Sequence, residues 1–328
     1  MSHAKALKFS LMGVFVWMLA SAPPAAAWID TGHRIISLIA WADLTPAARA
    51  KIAETLQQHP RYKEDLLADL PADAAEADTD RYAFGMASTW PDVVRNQANP
   101  MHAAYNHPAW HYIDIPYCIG GQTAQPPPQT GPGPHNVVEA LAKSTADLKN
   151  PALAARDKAI ALCWVLHLCG DIHQPLHACS LFSPQFPDGD QGGNAFYVLR
   201  EPPYPDSRMK LHLLWDELPG QYKSEEICAD LAAALRADPR YGRSALKDAL
   251  AITDFAAWAN ESHELAIHYA YRDGTLVGAA ASESSGADQE PPGLPRGYLK
   301  QAEEIAMRRV ALAGYRTADL LTSIFDAK

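Results

Sequence analysis

Residues 164–177, WVLHLCGDIHQPLH, decide the fold: an apolar helix ends here and turns, carrying His167, Asp171 and His177 within fourteen residues. The run from 136 to 174 has helical periodicity in two stretches, broken near Asn150 and Pro151. His167 and Asp171 are four apart and share a face of that helix. Pro175 lacks an N–H, so it ends or kinks the helix before His177 and can turn that side chain back toward the first two. A second His-x-x-x-Asp pair stands at His212 and Asp216 in LHLLWDE. A lone His on an apolar face is more often core than ligand. Two His/Asp pairs at ligand spacing favour a hydrolytic zinc site, in which imidazole and carboxylate hold a Lewis acid.

Outward from that stretch, most of the chain reads as helix. Residues 32–58 form one or two helices with a start signal at Thr45-Pro46, and 62–86 are helical in part. Trp90-Pro91 disfavours helix at Trp90 and puts Asp92 in a first helical turn, where helix-start electrostatics alone would account for it. WHYIDIP (110–116) reads as extended or loop, and 119–135 as a Pro/Gly loop. GDQGGNAFYVLRE followed by MKLHLLWDE suggests a small β-hairpin across a loop holding Pro202, Pro203 and Pro205. Residues 224–272 return to helix, 273–297 form a long Gly/Ser/Ala/Pro loop, and 298–325 form one long C-terminal helix. There are no repeats and no second core, so the expected architecture is a single, mainly α domain with one β-hairpin.

The first 27 residues read as a leader rather than fold. Lys5 and Lys8 precede an apolar run too short to span a bilayer comfortably, and Ala25-Ala26-Ala27 is a small-residue cleavage pattern. The other reading is an N-terminal anchor. Cleavage leaves residues 28–328, with Trp28 first, and an expected periplasmic or secreted location. The whole chain carries a formal charge of −10, and losing two lysines takes it to −12. That balance argues against an electrostatic duplex-DNA binder, which carries a basic stripe, but not against a nucleic-acid substrate. Five cysteines (Cys118, Cys163, Cys169, Cys179, Cys228) leave at least one unpaired in a monomer. Export permits disulfides, but Cys163 and Cys169 also read as packed helix thiols. His173 is six residues from His167, falls off its face and is given no role.

Six motifs now stand in order: W-x-x-x-G-H at 28–33, W-P-D-x-x-R at 90–95, W-H-Y-I-D at 110–114, H-x-x-G-D-x-H-Q-P-L-H at 167–177, G-D-x-G-G-N at 189–194 and L-H-x-x-W-D at 211–216. Together they resemble the S1/P1 nuclease family, zinc-dependent single-strand nucleases and 3′-nucleotidases related in fold to zinc phospholipase C. The resemblance runs over essentially all of residues 28–328 and implies three zinc ions. One is held by Asp92, His111, His167 and Asp171, and a second by His177, His212 and Asp216. The third is held by the amino group and carbonyl of Trp28 with His33, Asp171 bridging. The chemistry agrees, because an amine and its own carbonyl form a chelate that only an N-terminal residue offers. Without the resemblance, Trp28 and His33 would read as an ordinary apolar start.

The implied reaction is attack on a phosphodiester phosphorus with the 3′ oxygen leaving, so products carry a 5′-phosphate. Asp92 is ligand and candidate orienter of the attacking water. Arg95 is expected near the scissile phosphate, where a guanidinium stabilises developing charge; its alternative is a surface salt bridge. The resemblance puts a base pocket at Tyr112, Asp114, Gly193 and Asn194, although Gly-Gly-Asn alone reads as a hairpin turn. Stacking needs an unpaired base, so single-stranded DNA, RNA and 3′-nucleotides are the expected substrates. The rival readings are a zinc phospholipase C-like enzyme, which would need a choline-type pocket, and a non-catalytic zinc-binding protein.

Overall fold

The computed structural model describes residues 28–70, 74–124, 132–200, 208–280 and 291–326. The expected leader, the middle of the 119–135 loop, the three loop prolines after Arg200 and residues 281–290 of the long loop lie outside the described residues.

Twelve α-helices and five short strands are described. The helices are α1 (Asp30–Asp43), α2 (Pro46–Leu56), α3 (Glu76–Ala87), α4 (Trp90–Val93), α5 (His102–Tyr105), α6 (Val137–Lys149) and α7 (Ala155–Asp171). After these come α8 (Leu211–Asp216), α9 (Glu225–Ala237), α10 (Lys247–Leu250), α11 (Phe255–Leu265) and α12 (Tyr298–Phe325). The strands are β1 (Pro116–Cys118), β2 (Ser180–Phe182), β3 (Phe196–Leu199), β4 (Arg208–Lys210) and β5 (Ala279–Ala280). The fold is mainly α, as its periodicity predicts.

The boundaries follow local chemistry. Thr45 accepts from the N–H of Ala48 at 3.0 Å, and Pro46 takes the first helical position of α2, where its missing N–H costs nothing. Asn136 and Glu139 form a reciprocal cap on α6. The Asn150-Pro151 break separates α6 from α7. Trp90 is a departure from expectation: it is the first residue of α4, with Pro91 second. Proline is tolerated there because the N–H groups of a first turn have no intrahelical partner.

The hairpin expectation needs correcting. β3 pairs antiparallel with β4, but the strand ends at Lys210 and LHLLWD is helix α8. His212 and Asp216 therefore share a helix face by their spacing of four, which strand geometry would not give. The 273–297 segment is also not all loop, since β5 pairs with the other edge of β3 and Gly293 bridges to Leu199. A separate pair, β1 and β2, runs parallel with Pro116 opposite Ser180.

The core falls into three apolar clusters. One surrounds α7 with side chains of α2, α4 and α6. A second joins α1, α9 and α12. A third fills the space between the strands, α8 and the start of α12. All five cysteines are free thiols, so no disulfide forms among them. Four are buried and spread over these three clusters, Cys163 and Cys169 as packed residues of α7; Cys118 is exposed. Among the described residues no helix is long and apolar enough to cross a membrane.

Candidate metal centre

Helix α7 is buried along most of its length and delivers His167 and Asp171 into the protein interior, both fully buried. After Asp171 the chain turns, and a 3-10 turn from Pro175 to Ala178 brings back His177. Pro175 thus acts as its chemistry predicts, with the helix ending four residues earlier. Helix α1 contributes His33, α4 contributes Asp92, the 3-10 turn Pro108–His111 contributes His111, and α8 contributes His212 and Asp216.

These eight side chains converge. Three groups each have ligand atoms within 4.8 Å of one another: His33, Asp92 and His167; His111, His167 and Asp171; and His177, His212 and Asp216. Asp171 lies between them. Its Oδ2 is 3.1 Å from both His111 Nδ1 and His167 Nε2, and its Oδ1 is 3.3 Å from His33 Nε2 and 3.9 Å from His177 Nδ1. His177 Nε2 and His212 Nε2 are 3.2 Å apart, and Asp216 Oδ2 is 3.5 Å from the latter.

The ring orientations are fixed from behind. Nδ1 of His167 meets the carbonyl of Ser88 at 2.8 Å, that of His177 meets His111 O at 2.7 Å, and that of His212 meets Gly192 O at 2.6 Å. With Nδ1 donating to a carbonyl, each Nε2 carries its lone pair toward the cluster, the tautomer a metal requires. Gly192 has φ 62°, and a Cβ there would come within 2.6 Å of Leu176 O. Only glycine lets the GDQGGN loop lie this close under His212.

The electrostatics describe a site with an excess of buried acid and ligand atoms. Burial pushes the Asp216 carboxyl well above its usual range, and the fields of Asp171 and Asp92 add to that. Burial lowers His33, and it lowers His111 to about 4. At His167 burial opposes the charge, but Asp171 and Asp92 outweigh it and hold the imidazole at about 8. At Asp171 burial also works against the charge, yet the His167 field and the hydrogen bonds from its histidines win and hold the carboxyl well below the ordinary range. Several buried polar atoms have no hydrogen-bond partner: both ring nitrogens of His33, Nε2 of His111 and Oδ1 of Asp171. Unsatisfied buried groups are costly. A divalent cation among them would satisfy the lone pairs and remove the acid–acid repulsion, so the donor set fits a metal.

The other anticipated residues are distributed around this centre. Trp28 is fully buried, with its indole N–H donating to Gly170 O at 3.1 Å, next to Asp171. Arg95 lies in the turn after α4, not on that helix, and its guanidinium donates to Asp92 Oδ1 at 2.8 Å. Tyr112 and Asp114 follow His111, Tyr112 being 41% exposed, and burial raises Asp114 to about 6. Gly193 accepts from the N–H of His212 at 3.2 Å, and the Asn194 amide donates to Gln191 O at 3.0 Å. The loop is therefore a turn beside α8 and not the tip of a β3–β4 hairpin.

Two residues of the organising stretch were missed as contributors. Gln174 is fully buried and donates to Asp216 Oδ1 at 2.7 Å. His173 is also fully buried: its Nδ1 contacts Cys169 O and its Nε2 lies 2.9 Å from an Arg316 nitrogen. Arg309 holds the His173 carbonyl at 3.0 Å, and both arginines pair with Glu261. The signal available in the sequence was two polar side chains inside an otherwise apolar turn, but the partners that give them their roles, Asp216, Arg309 and Arg316, lie over forty residues away.

A mainly α scaffold that gathers five imidazoles and three carboxylates in its interior defines a candidate polynuclear metalloprotein. The family model described as S1/P1 Nuclease matches residues 28–326, and the chain belongs to that family. Endonuclease 2 of Arabidopsis thaliana is 27% identical over 225 residues, covering 66% of this chain and 64% of that protein. Endonuclease 5 of the same plant is 30% identical over 190 residues, covering 51% of this chain and 52% of the relative. Endonuclease 4 is 29% identical over 180 residues, or 51% of each. The chain thus spans between half and just under two thirds of the length of these relatives.

Proposed function

We propose that residues 28–328 form an exported, zinc-dependent nuclease domain, released by removal of residues 1–27, that hydrolyses single-stranded DNA and RNA to 5′-phosphate products and also acts on 3′-nucleotides. The observation that carries this reading is the convergence of His33, Asp92, His111, His167, Asp171, His177, His212 and Asp216, drawn from four helices and two turns, into three ligand groups, two of which share His167. Family membership and the endonuclease names of the relatives support the reaction class.

In this reading Asp92, His111, His167 and Asp171 hold one zinc, and His177, His212 and Asp216 a second. The Trp28 main chain, His33 and Asp171 hold the third. When bound, zinc supplies Lewis acidity toward phosphate oxygens and a nucleophile from water at neutral pH. The chain's own residues do the rest. Asp92 orients the attacking water. Arg95, whose guanidinium already reaches Asp92, faces a phosphate oxygen at this site and stabilises the charge that develops there. Tyr112 offers a half-exposed ring for stacking, while Asp114 and Asn194 offer polar atoms to a base edge. A paired base cannot present its face to such a ring, which gives the preference for single strands.

The test is release of acid-soluble nucleotide from denatured DNA, with and without chelator, alongside metal analysis of the processed protein. Chelator-sensitive release is expected. Bound zinc with no hydrolysis of RNA, DNA or 3′-AMP would leave a zinc-binding protein and remove the nuclease reading. Hydrolysis of phosphatidylcholine but not of nucleic acid would favour the phospholipase-like alternative.

A further inference from the structure

The groove beside Asp92 and Arg95 does not end at those side chains. A cavity of about 620 Å³ runs from them over Ile29 to Tyr222 and Lys223. Tyr112, Asp114, Gly193 and Asn194 are not among its walls, so it is distinct from the base pocket above.

The far wall is built. Thr31 Oγ1 accepts from the Tyr222 N–H at 2.7 Å and donates to the Tyr222 carbonyl at 2.9 Å. Arg34 donates to the Lys223 carbonyl at 2.7 Å. Thr31 and Arg34 flank His33 on the first turns of α1, so the 222–223 backbone is registered on the helix that carries a candidate ligand. The Tyr222 ring lies against Gly220, where any Cβ would collide with it. While the backbone is pinned, both side chains remain open to solvent, Tyr222 being 43% exposed.

The charge pattern suits an anion better than the lining suggests at first sight. Glu217 pairs with Arg200 at 3.6 Å, and Asp92 faces the histidines. Asp30 is the remaining acid of the wall, set against the cations Arg95 and Lys223. An exposed ring next to an exposed ammonium, in a groove that leads to a phosphate-handling site, matches one stacked base and one backbone phosphate.

We propose that this groove is a second nucleotide subsite for single-stranded nucleic acid. Tyr222 stacks on a base and Lys223 pairs with a phosphate, on the side of the scissile bond remote from the Tyr112–Asn194 pocket. The proposal rests on the nuclease reading and adds to it a length preference, because the subsite engages a second nucleotide that a mononucleotide lacks. The subsite recognises the strand without reading its sequence, since every base has a π-face and every nucleotide a phosphate.

The experiment uses the zinc-loaded, processed chain and its Tyr222→Ala, Tyr222→Phe and Lys223→Gln variants. Binding of a fluorescein-labelled phosphorothioate oligothymidylate is followed by anisotropy across a salt series, with 3′-AMP turnover as control. Tyr222→Ala is expected to weaken binding about fivefold or more at an unchanged salt slope, and Tyr222→Phe to restore it. Lys223→Gln is expected to lower the salt slope by about 0.7, the loss of one single-strand phosphate contact. Turnover of 3′-AMP should stay within about twofold in all three. Variant affinities and slopes equal to wild type, equal losses on 3′-AMP, or no oligonucleotide binding by wild type would overturn the subsite. Variant-sensitive binding by a wild type that cleaves nothing would sustain the subsite and fell the nuclease reading instead.

Discussion

The side chain of Gln174 donates to Asp216 at 2.7 Å and, through its own carbonyl, accepts the N–H of Leu176. One buried amide therefore sets both the aim of a candidate ligand from α8 and the turn that brings His177 back from α7. Its replacement by leucine keeps the volume and removes both bonds. We expect Gln174→Leu to cost about 1–3 kcal/mol of stability and to weaken metal retention by the His177–His212–Asp216 group about 10–100-fold. Urea denaturation and chelator competition measure the two effects separately. Metal retention equal to wild type would show that Asp216 does not depend on Gln174.

Gly170 sits in α7 directly before Asp171, where a Cβ would lie 2.7 Å from His33 Nδ1 and 2.9 Å from His33 Cε1. Helix propensity favours alanine over glycine by about 1 kcal/mol, so the sequence keeps glycine against that preference. Gly170→Ala should displace the His33 ring and lower both metal content and activity about tenfold or more. Elemental analysis beside a nuclease assay decides it, and a fully loaded, fully active variant would mean that the ring has room to move.

His59 is buried against Trp90, and burial drops its imidazole to about 4, with Asp65 partly opposing. Its folded pKa is thus below the unfolded value near 6.5. As the pH falls below about 6.5 the unfolded chain takes up a proton that the folded chain refuses. Stability is therefore full above that value and is lost progressively down to about 4, by up to ~3 kcal/mol. His59→Gln should flatten this limb of the stability curve between pH 7.5 and 4.5 relative to wild type. Parallel curves for the two proteins would assign the acid loss elsewhere.

Trp28 is proposed to bind through its own amine and carbonyl, and its indole is already fastened to Gly170 O at 3.1 Å. One alanine added before Trp28 in the processed protein leaves the indole contact available but converts the amine to an amide. Zinc content should fall by about one ion per chain, with a matching loss of turnover. Full zinc and full activity in the extended protein would refute the terminal chelate.

Local spacing made a good part of this legible. The four-residue interval of His167 and Asp171 survives as a shared face of α7, and Thr45-Pro46 and Asn136 mark helix starts by their own chemistry. The same interval at His212 and Asp216 reads from sequence as part of a hairpin, because LHLLWD is short and apolar and its period is ambiguous between strand and helix. The packing of α8 against Leu176, Gly193 and the third apolar cluster resolves it.

The sequence by itself determined the helical architecture, the turn at Pro175 and which residue types are able to bind a cation, since each depends on backbone preferences or side-chain chemistry within a few positions. Only the tertiary structure decided that Asp171 stands between the ligand groups, that Gln174 aims Asp216, that Arg316 and Arg309 brace the turn at His173, and that Tyr222 is pinned to Thr31. Those contacts join segments separated by 42 to 191 residues, and such pairings are set by how the three apolar clusters pack rather than by any local preference of the chain.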